Sequence, residues 1–191
     1  MIIPTKTQLC PSTALCLDNF VADLPKAPAA ARADSGQNPA LGIIDGVTVT
    51  ALVGNADDRG SLCELLTTRD EPIEPIVHVY QVAAVPGSIR AWVYHRHQFD
   101  RLAFTMGQFE IALYDVRPGS PTANRLNVLT LGARQPALLR IPPFVIHAVR
   151  NAGTELSFFI NMPTTPYFRD RPDKFRLPYG DPRVPYTFDA S

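Results

Sequence analysis

The sequence predicts an all-β protein, a rolled antiparallel sandwich or barrel. Three observations carry that expectation. From Leu41 onward, short apolar runs are separated by turn residues at the spacing of successive strands. The segment 109–115 (FEIALYD) alternates with the two-residue period of a pleated strand. Only 20–24, 171–175 and the alanine run before Asp34 leave room for a helix.

Taken in order, residues 1–40 read as an irregular N-terminal extension, with Pro25–Pro39 an exposed connector rich in Ala, Pro and Gly. Residues 41–191 form a single domain. Its expected strands are 46–53, 61–66, 76–84, 88–95, 100–106, 108–115, 126–131, 137–141, 144–150 and 155–162. Gly107 falls between two of them, where a tight hairpin needs backbone freedom. The tail, PTTPYFRDRPDKFRLPYGDPRVPYTF, is dense in proline and aromatic residues. Proline removes a ladder donor, so this tail is expected to be an ordered, irregular wrap across the mouth of the barrel.

Composition narrows the function. Lys plus Arg and Asp plus Glu are 18 each, so no overall field draws the chain to nucleic acid or a membrane surface. An anionic ligand would have to be held by locally placed arginines. No apolar run reaches the roughly 18 residues of a spanning helix. The N-terminal MIIPTKTQLCPSTALC lacks an uninterrupted apolar centre and does not read as a secretory signal. Cys10, Cys16 and Cys63 are odd in number and lack a metal-type spacing, which points away from a disulfide framework. A cytoplasmic location is the corresponding expectation.

The chemistry concentrates between Pro86 and Gly107. On a strand period, Val93, His95 and His97 share one face there, with Asp100 just beyond. A second cluster, IPPFVIHAVRN, carries His147 and Asn151. His78 and Trp92 read as packing residues, and Asp115 and Ser120 as turn formers.

Together, His95-x-His97 with Asp100 and Gly107, and Pro142-x-Phe144-x-x-His147-x-x-x-Asn151, resemble the two motifs of the cupin superfamily, a double-stranded β-helix or jelly roll. Phe144 stands where that pattern has Gly. A second resemblance runs through Asp57–Glu64 (DDRGSLCE), Tyr80-Gln81, Pro86–Trp92 (PGSIRAW), Leu113–Thr122 (LYDVRPGSPT), Ile141–His147, Asn161–Tyr167 (NMPTTPY) and Leu177–Pro182 (LPYGDP). In that order these segments are similar to the dTDP-4-dehydrorhamnose 3,5-epimerase family and its sugar-epimerase relatives.

The resemblance implies an isomerase acting on a nucleotide-linked 4-keto sugar. It needs no cofactor, and it is a homodimer whose N-terminal strands help build the partner's nucleotide pocket. A His base removes the proton beside the ketone, a Lys steadies the enolate and a Tyr returns the proton. The matching positions here are Val93, Asp100 and the Phe158–Ile160 region, none of which can do that work. His95 is the expected replacement base, held by Asp100 or Asp181 and supported by His147, with Tyr167 or Tyr179 as acid. Arg90, Arg101 or a metal would replace the lysine. Arg59, Glu64, Gln81 and Arg90 match substrate-binding positions, and His97 and Asp100 join them as expected substrate contacts. Two alternatives stand beside this reading. One is a metal-dependent cupin with a divalent transition metal on His95, His97, Asp100 and His147. The other is a protein that binds a sugar nucleotide without turning it over.

Overall fold

The computed structural model describes residues 42–69 and 72–188. The expected irregular extension 1–40, its connector and the helix candidates at 20–24 and in the alanine run lie outside them. Twelve strands are described, and the body of the domain is built from two five-stranded antiparallel sheets. The first has the order β1 (Thr48–Ala51), β9 (Ala137–Ile141), β6 (Asp100–Phe104), β11 (Ser157–Asn161), β4 (Tyr80–Ala84). The second has the order β12 (Phe175–Arg176), β5 (Ile89–Tyr94), β10 (Val145–Asn151), β7 (Gln108–Asp115), β8 (Leu126–Gly132). This is the all-β jelly roll expected of the sequence. The remaining pair, β2 (Gly54–Asp57) and β3 (Gly60–Cys63), forms a separate hairpin; β3 overlaps the expected strand 61–66, whereas β2 was not expected.

Alternation explains the core. On β7, Phe109, Ile111 and Leu113 face inward and are fully buried. They meet Leu102 and Phe104 of β6, Leu139 of β9, Val145 and Val149 of β10 and Phe159 of β11. The rings of Phe104, Phe109 and Phe159 lie 5.1–5.5 Å apart, tilted or edge-on, and burying each contributes about 1.5–3 kcal/mol.

Gly107 turns β6 into β7 at φ +71°, and a Cβ there would sit 2.0 Å from Ser157 Oγ. The residue is glycine for both reasons. Phe144, in place of the cupin glycine, keeps the left-handed backbone that glycine would favour, at φ +63°. Its N–H donates to the His95 carbonyl at 2.8 Å and its ring stacks on Tyr94, which holds it there.

The tail departs from expectation in two ways. The helix candidate 171–175 is extended: Pro172 removes a donor, and Phe175–Arg176 pair with Tyr94 and Val93 as β12. The wrap also serves more than the mouth. Asp173 and Lys174 border it, but Val184 and Phe188 cover the outer face of the second sheet, burying Trp92, Ala112, Ile146 and Ala148.

Candidate active site

The sheets diverge at the end of the barrel where β5 gives way to β6, leaving a pocket of about 150 Å³. Each wall is placed by register. His147 of β10 lies opposite Val93 of β5, and both line the pocket. Asp100 opens β6, and Asn161 ends β11 opposite Tyr80 of β4. His95 follows the last residue of β5 and reaches the pocket from the crossing between sheets.

Three of these side chains converge. His95 Nε2 and His147 Nε2 lie 3.2 Å and 3.3 Å from the same oxygen, Oδ2 of Asp100. All three residues are more than nine-tenths buried. The other oxygen of Asp100 accepts from Gln98 Nε2 at 2.9 Å and Asn161 Nδ2 at 3.0 Å. Burial by itself would raise the Asp100 pKa, but hydrogen bonds from His147 and His95 outweigh it and hold the carboxyl well below its ordinary range. Burial opposes the charged form of His95, yet its bond to Asp100 and that carboxylate's charge raise its pKa.

The far side of each ring is also held. His95 Nδ1 meets the carbonyl of Asp173, and His147 Nδ1 lies 3.2 Å from the carbonyl of Val145. A carbonyl can only accept, so this network assigns a hydrogen to each Nδ1 and directs each Nε2 at Asp100.

His97 does not join them. The strand ends at Tyr94 because the Asp173 carboxylate accepts the backbone N–H groups of Arg96, His97 and Gln98 at 2.8–3.2 Å. That turn sends His97 into solvent, so the shared face expected of His95 and His97 is lost.

The other sequence candidates are scattered. Arg90 lines the pocket and donates to the Ala83 carbonyl at 3.1 Å. Gln81 is exposed on β4, on the face opposite Tyr80 and Val82. Arg59 pairs with Asp57 in the β2–β3 turn, and Glu64 pairs with Arg69 at 2.8 Å; neither lines the pocket. Asp181 pairs with Arg183 at 2.7 Å rather than with His95. Tyr167 is 55 % exposed and borders a recess of about 30 Å³ that shares Tyr80, His95 and Lys174 with the main pocket. Tyr179 bonds the backbone of Phe188, a packing role. Arg101 is buried and donates to the carbonyls of Met162, Glu74 and Pro75.

Four contributors escaped sequence reasoning: Tyr80, Asn161, Asp173 and Lys174. Tyr80 belongs to an apolar run and Asn161 to a strand end, so neither spacing singles it out. The Asn161 amide is fully committed, accepting from Arg101 N and donating to Asp100 and, at 2.8 Å, to the Tyr80 hydroxyl. The Tyr80 hydroxyl therefore accepts from Asn161 and keeps its own proton to donate. Burial, with the Asp100 charge, raises its pKa.

A larger recess, about 380 Å³, lies at the opposite end of the barrel around Gly107 and Gly132 and contains no histidine or aspartate. No helix of the described residues is long and apolar enough to cross a membrane.

No family model matches the chain. It is 33 % identical over 148 residues to the spore coat polysaccharide biosynthesis protein SpsL of Bacillus subtilis, covering 78 % of this chain and 98 % of that protein. Over 141 residues it is 38 % identical to the probable low-salt glycan biosynthesis epimerase Agl13 of Haloferax volcanii, covering 71 % and 88 %. Among solved structures it superposes on a dTDP sugar isomerase from Desulfovibrio desulfuricans G20 with TM-score 0.71 at 26 % identity, over 75 % of this chain and 91 % of that one. The long match to these sugar-biosynthesis proteins, on this jelly roll, means that the chain belongs to the dTDP-4-dehydrorhamnose 3,5-epimerase-like family of cupins.

Proposed function

We propose that this protein is an epimerase or isomerase that removes the proton beside the ketone of a nucleotide-linked 4-keto sugar. The single observation that carries the reading is the convergence of His95 Nε2, His147 Nε2 and Asp100 Oδ2 on one buried point of the pocket. With each Nδ1 hydrogen held by a carbonyl, each Nε2 either donates a hydrogen to the Asp100 carboxylate or, without it, offers a lone pair, so protons enter and leave the cluster through Nε2. Such a cluster binds protons, and it has room for more than one.

Chemistry follows from that. The carbon-bound proton passes to the cluster, the electron pair moves into an enolate, and a proton returns to carbon. Returned from the cluster, it restores the original configuration. Returned by an acid on the opposite face of the sugar, the role we give Tyr80, it inverts the centre. The cavity holds a pyranose-sized group, and Arg90 at its wall suits the diphosphate beyond. Support comes also from the relatives, whose names include an epimerase and a dTDP sugar isomerase.

The test is proton exchange. Incubating the protein with a dTDP-linked 4-keto-6-deoxyhexose in deuterium oxide is expected to place deuterium at the carbon beside the ketone. A nucleotide that raises the melting temperature while no deuterium enters would leave a binding protein instead.

The same convergence favours a second reading. Two imidazole nitrogens whose other N–H groups are anchored on carbonyls, beside one carboxylate oxygen, form a fitting donor set for a divalent transition metal. His95, Asp100 and His147 would hold it, without His97. Bound there, it would polarise the ketone. Elemental analysis of the purified protein decides, and absence of a stoichiometric metal rules this reading out.

We place Arg59 and Glu64 against the pocket of a partner copy in a homodimer. The β2–β3 hairpin pairs only with itself among the described residues, with Leu62 64 % exposed, and the edge of β4 continues exposed Ile76, Val77 and Val79. Light scattering on the eluting protein tests the dimer.

A further inference from the structure

The pocket has a cation that nothing in the matched motifs supplies. Lys174 lies on the C-terminal wrap, one residue before β12, and borders both the main pocket and the smaller recess. Two other cations lie nearby, but one is spent on backbone carbonyls away from the pocket and the other, at the wall, is the one given to the diphosphate above. Arg101 spends its guanidinium on the carbonyls of Met162, Glu74 and Pro75 and does not line the pocket. Arg90 donates to the carbonyl of Ala83. Lys174 has no hydrogen-bond or ion-pair partner among the described residues.

Its position is set by its neighbour. Asp173 holds the wrap against the end of β5 through four bonds. Its carboxylate accepts from the N–H groups of Arg96, His97 and Gln98, and its carbonyl meets His95 Nδ1. One residue thus orients the imidazole and anchors the backbone from which the next side chain extends. Loss of water around the Lys174 ammonium and the nearby Arg176 lower its pKa, with Asp100 opposing.

We propose that Lys174 is the catalytic cation that stabilises the enolate oxygen, and that Asp173 is the positioning residue that delivers it. This rests on the epimerase reading above. When the carbon–hydrogen bond breaks, its proton goes to the His95–Asp100–His147 cluster and its electron pair forms the carbon–carbon double bond. The carbonyl oxygen takes the negative charge, which the ammonium of Lys174 meets. The double bond to oxygen reforms when carbon is reprotonated, so no oxidant or reductant is consumed. A fixed charge beside a developing oxyanion in a partly desolvated pocket is an effective way to lower such a barrier.

The experiment compares wild type, Lys174→Met, Lys174→Arg and Asp173→Asn in two assays. One is deuterium exchange into a saturating dTDP-linked 4-keto-6-deoxyhexose, and the other is dTDP affinity by calorimetry. Lys174→Met is expected to lower the saturated exchange rate by about a hundredfold or more, leave dTDP affinity within about twofold, and be partly rescued in Lys174→Arg. Asp173→Asn is expected to slow exchange less than Lys174→Met, with dTDP affinity again preserved. Wild-type saturated exchange in Lys174→Met overturns the assignment, and a loss confined to dTDP affinity means that the ammonium holds the diphosphate instead. Absence of exchange in the wild-type protein overturns the proposed function, and this assignment with it.

Discussion

Nε2 of His147 lies 3.3 Å from Oδ2 of Asp100, although the two residues belong to strands of different sheets. β10 and β6 lie in opposite walls of the roll, so this contact closes the site across the barrel. It also makes Asp100 the common partner of both histidines, which keeps it ionised in spite of its burial.

Asp100→Asn is therefore expected to lower deuterium exchange by about 10²- to 10⁴-fold, because an amide neither compensates an imidazolium nor accepts two bonds on one oxygen in the same way. The near-isosteric side chain should leave the circular dichroism spectrum unchanged. Exchange at the wild-type rate would remove Asp100 from the mechanism.

Tyr80→Phe separates the two halves of the reaction. Without the hydroxyl, the cluster still removes the proton and can return it to the same face. The expected result is deuterium incorporation near the wild-type rate with little inverted product, read by proton NMR of the sugar. Full inversion in this variant would assign the acid elsewhere, with exposed Tyr167 the next candidate.

Arg101→Met tests a strut instead of the chemistry. The side chain is 2 % exposed and ties Glu74 and Pro75, which lead toward β4, to Met162 after β11. Its removal leaves several carbonyls without their donor. The loss is expected to be roughly 3 kcal/mol, a fall of about 6–12 °C in melting temperature for a chain of this size. An unchanged melting temperature would contradict the strut.

Asp115 predicts a pH dependence of stability. It is fully buried; burial alone would raise its pKa, but bonds from Arg117, Ser120 and Thr122 push it far below the ordinary carboxylate range. The folded carboxyl therefore resists protonation while the unfolded one takes a proton near pH 4. Its contribution is complete above that value and is lost as the pH falls below it. Asp115→Asn should cost about 2–3 kcal/mol at pH 7 and flatten the acid limb of a urea-melt series. Parallel acid limbs for variant and wild type would refute this.

Much of the fold was legible because periodicity is a local property. The alternation in 109–115 places Phe109, Ile111 and Leu113 inward, and the structure buries them. Gly107 marks a tight turn because only a residue without a Cβ fits against Ser157 at positive φ, but the turn is not the expected hairpin: it carries the chain from one sheet to the other, and β6 and β7 do not pair. The expected strand 61–66 overlaps β3, but β2 and its pairing with β3 were missed because the hairpin buries almost nothing, so no alternation marks it.

Sequence by itself determined the rolled β-sheet body, the proline-rich tail and the two residue types, histidine and aspartate, that meet in the pocket, since pattern and chemistry are written residue by residue. Tertiary structure alone decided which histidine of the His95-x-His97 pair faces inward. A strand period assigns faces only while the strand lasts, and this one is ended by Asp173, more than 70 residues away. The same long-range clamp brings Lys174 to the pocket, and Arg183 draws Asp181 away from it. Contacts between segments so distant in sequence depend on how the wrap closes over the sheet, and no local spacing encodes that.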